Sequence, residues 1–96
     1  MYGTVARVRL KPEAVSEIAR LTEEEIPHVR GLVFEHIYQM DADPLECMLA
    51  VGFVSKEAYV ANANSPEQHA RFLRYRELFA ADPDWHDGAI IFSHTA

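Results

Sequence analysis

The stretch LECMLAVGFV, residues 45–54, is apolar at odd and even positions alike. Read as a β-strand, it sends successive side chains to opposite faces, so neither face suits water. The chain around it has only 96 residues. It is read as one domain, residues 1–96, and a domain this small buries a limited share of its surface. Its own helices can cover one side of the sheet. For the other side, the natural cover is a second copy of the chain.

The flanking segments supply the rest of a sheet and the helices that cover one face of it. Residues 2–10 alternate, with Thr4, Ala6, Val8 and Leu10 on one face and Gly3, Val5, Arg7 and Arg9 on the other. That is a strand with two unlike faces. In KPEAVSEIARLTEEEI, Pro12 suits a first helical turn, and Val15, Ile18, Leu21, Thr22 and Ile26 recur at helical spacing. Pro27 and Gly31 end that helix. Leu32, Phe34, His36, Tyr38 and Met40 share one face of a second strand, residues 32–40. The turn DADP joins it to the third strand as an antiparallel hairpin. Ser55 is placed to cap a helix that pauses at Asn64. Ser65 caps the next, with Pro66 in its first position and Gln68 three residues after the cap. This helix is predicted to run to about Ala81, and the loop DPDWHDG to lead into a last strand over residues 89–94. The order β-α-β-β-α-β predicts an α+β, ferredoxin-like fold with a four-stranded antiparallel sheet.

Composition narrows the function. The chain is 49% hydrophobic and 25% charged, as folded soluble proteins are, and carries a net charge of −6 with no basic run. Nucleic acid is not an expected partner. No apolar run has the length of a membrane span, and the N-terminus enters strand alternation at once, without the pattern of a secretion signal. The single cysteine, Cys47, has no internal partner and lies in an apolar run, which suits a reducing compartment. A cytoplasmic protein is expected. The five histidines form no H-x-H or H-E-x-x-H pattern, so no metal site is expected.

The helix after Ser65 carries the polar residues of most interest. At about 100° per residue and with His69 at zero, Phe72 falls near −60°, Leu73 near +40°, Arg76 near −20° and Phe79 near −80°. His69 and Arg76 are therefore expected at the centre of the buried stripe, with Arg71 and Arg74 solvated on the far side. A buried arginine must pair, snorkel or face a cavity. Arg76 either pairs with Glu25 or lines a pocket. His69 either bonds a backbone carbonyl or acts on a ligand. Tyr59 and Asn62 lie three residues apart on one helical face. Trp85 suits a core edge, a subunit interface or a pocket wall. His36 points either to the cavity or to a partner sheet.

FVSKEAYVANANSPEQHARF after the third strand and DPDWHDGAIIFS near the end resemble the antibiotic biosynthesis monooxygenase-like family. Its local marks are S-x-E-A-Y at residues 55–59 and S-P-E-Q-H at residues 65–69. The resemblance implies a homodimer, a dimeric α/β barrel in which two sheets face each other. It implies one small cavity per subunit and, in the monooxygenase branch, no cofactor: the electron-rich phenolic or quinol substrate itself reacts with oxygen. His69 and Arg76 are then the expected catalytic pair, as base and oxyanion partner. Tyr59, Asn62, Phe72, Trp85 and His36 are the expected substrate-binding residues, and the partner molecule is a small aromatic. Alternatives are a binding or sensing module and a haem protein. The haem-degrading branch has an asparagine on the first strand and a tryptophan ten residues before its histidine. Here Ala6 and Arg7 occupy that strand region, and Tyr59 stands ten residues before His69.

Overall fold

Four antiparallel strands form one sheet in the order β2-β3-β1-β4. They are β1 (Tyr2–Arg9), β2 (Leu32–Gln39), β3 (Glu46–Phe53) and β4 (Asp84–Ala89). The helices are α1 (Val15–Glu25), α2 (Lys56–Ala63) and α3 (Pro66–Arg76). The structure, a computed structural model, describes all of Met1–Ala96. This is the ferredoxin-like arrangement expected from the order of elements.

Local chemistry sets most of the boundaries. The Ser55 Oγ accepts a hydrogen bond from the Ala58 N–H at 3.1 Å, and the Ser65 Oγ accepts one from the Gln68 N–H at 3.1 Å. Both caps act as read, and Pro66 takes the first position of α3. Gly31, at φ 81°, makes the turn into β2 that an L side chain would resist. Gly3 and Gly52 pair directly across β1 and β3. A Cβ at Gly52 would stand 2.2 Å from the Phe34 ring, and one at Gly3 would stand 1.7 Å from the Val51 carbonyl oxygen. Bare backbone at these two points allows the strands and Phe34 to close.

Two boundaries differ from expectation. α3 ends at Arg76 because the chain then crosses back to β1: Leu78 O accepts from the Lys11 N–H, Ala80 N–H donates to Arg9 O, and Phe79 bridges Leu10. The last strand is the polar DWHDGA, not residues 89–94. Backbone pairing with β1 runs from Arg7↔Asp84 to Tyr2↔Ala89, and it ignores side-chain polarity. Beyond a single bond from Ile90 N–H to Met1 O, the apolar IIF run stays outside the sheet, with Ile91 97% and Phe92 82% exposed.

The two faces of the sheet differ. Thr4, Ala6, Val8 and Leu10 of β1 are buried beneath the helices, as the alternation requires. Val8, Leu10, Ala14, Ile18 and Cys47 form the core cluster, joined by Ile37, Tyr75, Leu78 and Phe79. Only 13 of 96 residues are buried. The core is small because a cavity takes up space between sheet and helices. On the opposite face, His36, Ala50, Val5 and His86 lie in register across all four strands. Val5 and the neighbouring Tyr38 are exposed there.

Candidate functional site

The cavity has a volume of about 510 Å³ and lies between the helix side of the sheet and the helices. Seventeen of its 25 lining residues are hydrophobic, so an apolar body fits most of its wall. The polar groups come from six elements, with β1 contributing Thr4 and α1 contributing Glu25. β2 contributes Glu35, α2 contributes Tyr59 and Asn62, α3 contributes Gln68, His69, Arg71 and Tyr75, and β4 contributes Trp85 and Asp87.

Arg71 is only 6% exposed. Its Nε donates to Glu25 Oε2 at 3.1 Å, and its NH1 donates to Gln68 Oε1, which also accepts from Asn62 Nδ2 at 3.2 Å. Arg74 holds the second oxygen of Glu25. Burial alone would raise the Glu25 pKa, but hydrogen bonds and charge from Arg74 and Arg71 outweigh it and hold the carboxyl below its ordinary value. Beside this network, the Tyr75 hydroxyl donates to Thr22 Oγ1 at 2.7 Å, and Thr22 Oγ1 donates to Ile18 O at 2.8 Å. Burial pushes the Tyr75 phenol up to about 12.

Glu35 is different. Its neighbour in alternation, Ile37, also lines the cavity, and the intervening His36 points to the opposite face. No side chain hydrogen-bonds to Glu35. Burial raises its pKa, and the charge of Arg71 offsets this only in part. A carboxyl held in an apolar pocket in this way is a recognised sign of a functional group.

A second polar group is built around Tyr59. Its ring packs edge-on against Tyr2 and Phe53, with centroids 5.3 Å and 5.5 Å away. Its hydroxyl donates to Asp87 Oδ1 at 2.7 Å. Burial, with the hydrogen bond and charge of Asp87, raises its pKa to about 12, so Tyr59 is a hydrogen-bonding phenol and not a base. Thr4 Oγ1 is buried nearby with no partner in good hydrogen-bond geometry. Its influence on Tyr59 is opposite in sign, toward the phenolate.

Tyr59, Asn62, His69, Phe72 and Trp85 thus all line one cavity. Arg76 and His36 do not. Arg76 is exposed at the last turn of α3. The ion pair with Glu25, one of its two alternatives, is made by Arg71 and Arg74 instead, and Arg71, expected in solvent, is buried. The inward side of α3 carries Gln68, Arg71, Phe72 and Tyr75, which rotates the helix by about 100° from the sequence reading. Leu73, counted as part of the buried stripe, is 45% exposed. His36 stacks on Phe34 at 5.4 Å on the open sheet face. Sequence reasoning missed Glu35, although a lone carboxylate in the run LVFEHIY was a visible signal. Arg71 had no such signal, because its partner lies 46 residues away.

In three dimensions the chain is similar to a candidate antibiotic biosynthesis monooxygenase of Chloroflexus aurantiacus, with a TM-score of 0.80, 21% identity and coverage of 98% of this chain and 96% of that one. It is similar to another such candidate from Bordetella bronchiseptica, with a TM-score of 0.79, 15% identity and coverage of 95% and 97%. A conserved protein of Methanosarcina mazei matches with a TM-score of 0.77, 18% identity and coverage of 91% and 89%. The fold is that of proteins described as antibiotic biosynthesis monooxygenases. No protein-family profile and no curated protein matches the sequence. At these identities the likeness speaks for the fold, which antibiotic biosynthesis monooxygenase-like proteins share, and not for a reaction.

The ion-pair geometry makes a stability prediction. Glu25→Ala strands the buried Arg71 guanidinium and is expected to cost about 3 kcal/mol or more. Arg76→Met, at an exposed position, is expected to stay within about 0.5 kcal/mol of the parent. Denaturant melts of both variants check the order, and a larger loss in Arg76→Met would contradict the placement of α3.

Glu35 generates a pH prediction of definite sign. Its folded pKa lies above the unfolded one, so the folded state binds more protons between the two values, and stability falls as pH rises through that window. Glu35→Gln removes this loss. Melting temperatures of parent and variant should therefore converge at low pH and separate toward neutral pH, with the variant higher.

Proposed function

We propose that the chain is a cofactor-independent monooxygenase acting on a small phenolic or quinol compound held in this cavity. The reading is carried by one observation: a largely apolar space of about 510 Å³ ringed by aromatic walls and a few oriented polar groups. An aromatic ring fits the apolar part, and a ring hydroxyl can reach Glu35, His69 or Tyr59. Loss of that hydroxyl proton makes the ring electron-rich. In conversion of a phenol to a quinone, one atom of dioxygen enters the ring and the other leaves as water. The substrate supplies all four electrons, so no outside reductant enters the balance. The work of the protein is to hold, deprotonate and shield.

His69 is the candidate base. It lines the cavity from the first turns of α3 yet keeps solvent contact, so a proton taken from the substrate can pass to water. The role first given to Arg76 is left without a free cation, because the one guanidinium on the cavity wall, that of Arg71, is paired with Glu25. Oxygen uptake with a panel of dihydroxynaphthalenes tests the reading. His69→Leu is expected to lower turnover by about 10²–10⁴-fold, with stability changed by no more than about 0.5 kcal/mol. Unchanged turnover in the variant would remove His69 from the base role. Tight binding without oxygen uptake across the panel would favour a binding module.

The protein is also proposed to act as a homodimer. The row His36, Ala50, Val5 and His86 and the exposed Tyr38, Ile91 and Phe92 leave apolar surface that a second sheet would cover. Light scattering coupled to gel filtration is expected to give twice the chain mass. A stable monomer at micromolar concentration would defeat this reading.

A further inference from the structure

The lining of the cavity is unbalanced in charge. Three carboxyl groups face it, those of Glu25, Glu35 and Asp87, against one guanidinium, that of Arg71. The charge of that cation is already paired with Glu25. Its Nε is held by Glu25 and its NH1 by Gln68, and the side chain is sealed from solvent. Arg74, the other cation near Glu25, is not among the lining residues. Asp87 is occupied by the Tyr59 hydroxyl, at a different part of the wall. Glu35 is the one carboxyl in the cavity without a hydrogen-bonded partner.

We infer that the cavity selects an electrically neutral aromatic ligand and rejects anionic ones, with Glu35 as the residue that sets this selectivity. The inference rests on the aromatic-ligand reading above and sharpens it. Carboxylated or sulfonated aromatics would bring a negative charge into a low-dielectric space beside Glu35, where like charges repel strongly. They would find no uncommitted cation in return. A neutral ring hydroxyl meets the opposite situation: it donates to the free carboxylate oxygen of Glu35 and satisfies a buried acceptor. When Glu35 is protonated, the same carboxyl can donate to a carbonyl oxygen of a quinone. Either protonation state therefore has a neutral partner, and the ionised state excludes an anion. Specificity of this kind comes from a repulsive element as much as from attraction.

The test uses two fluorescent probes of matched shape, 6-hydroxynaphthalene-2-sulfonamide and 6-hydroxynaphthalene-2-sulfonate. The first is neutral at pH 7 and the second is permanently anionic, so probe size does not confound the comparison. Equilibrium titrations with the full chain are expected to show the sulfonate binding at least about tenfold more weakly than the sulfonamide. Glu35→Gln keeps shape and hydrogen bonding while removing the charge, and it is expected to narrow that gap at least about threefold, chiefly by strengthening sulfonate binding. Equal affinities in the parent protein would overturn the selectivity and leave the aromatic cavity standing. A gap that persists in Glu35→Gln would overturn the role of Glu35. Failure of both probes to bind would count against the aromatic-ligand reading itself, and the inference would fall with it. A melt of Glu35→Gln at or above the parent temperature confirms that the comparison is made on folded protein.

Discussion

Glu25 holds the helical layer in place. It sits at the last turn of α1, and its two oxygens are taken by Arg71 and Arg74, two successive positions along α3 that differ by one turn. The Tyr75 hydroxyl adds a second bridge between these helices through Thr22 Oγ1. The ion pair is largely buried on the Arg71 side, so its geometry must be met or an uncompensated charge is left inside the protein. Meeting it sets the rotation of α3 about its own axis. With Arg71 turned inward, Gln68, Phe72 and Tyr75 follow onto the cavity wall, and Leu73 and Arg76 turn toward water. The contents of the site thus follow in large part from one carboxylate on the cavity wall.

The protein spends its interior on a cavity and keeps its core small. Leu10 is the largest side chain buried outright, and the tight cluster around it involves only Val8, Ala14, Ile18 and Cys47. Aromatic rings do much of the remaining work from half-buried positions, as Tyr59 does between Tyr2 and Phe53, and Tyr75 beside Phe79. The arrangement leaves little surplus burial in a single chain of this size, which is the physical sense in which a second copy would matter.

Two half-buried carboxylates on the cavity wall face opposite ways in energy. Glu25 has its charge stabilised by two arginines and supports the folded state above its lowered pKa. Glu35 has its charge disfavoured by burial, which the charge of Arg71 offsets only in part, and its ionisation opposes folding. A residue retained at a cost to stability is the pattern expected where a side chain serves a ligand. Tyr59 and Tyr75, both with phenols near 12, complete the contrast: they donate hydrogen bonds across the working pH range and exchange no protons.

The amino-acid sequence by itself determined the order of elements, the two serine caps and the buried face of β1. These follow from local periodicity and from capping chemistry, which a chain carries within a few residues. The choice between Arg71 and Arg76, the side to which His36 points, the entry of Glu35 into the cavity and the use of DWHDGA as an edge strand were decided only in three dimensions. A helix with arginines at positions 71, 74 and 76 can bury any of several faces, and the one chosen depends on where Glu25 stands at the end of another helix. A strand's register assigns every second side chain to one face, but which face meets the helices is set by the neighbouring strands. The polar segment after Pro83 becomes a strand because β1 offers it backbone partners, and backbone hydrogen bonds carry no record of side-chain polarity.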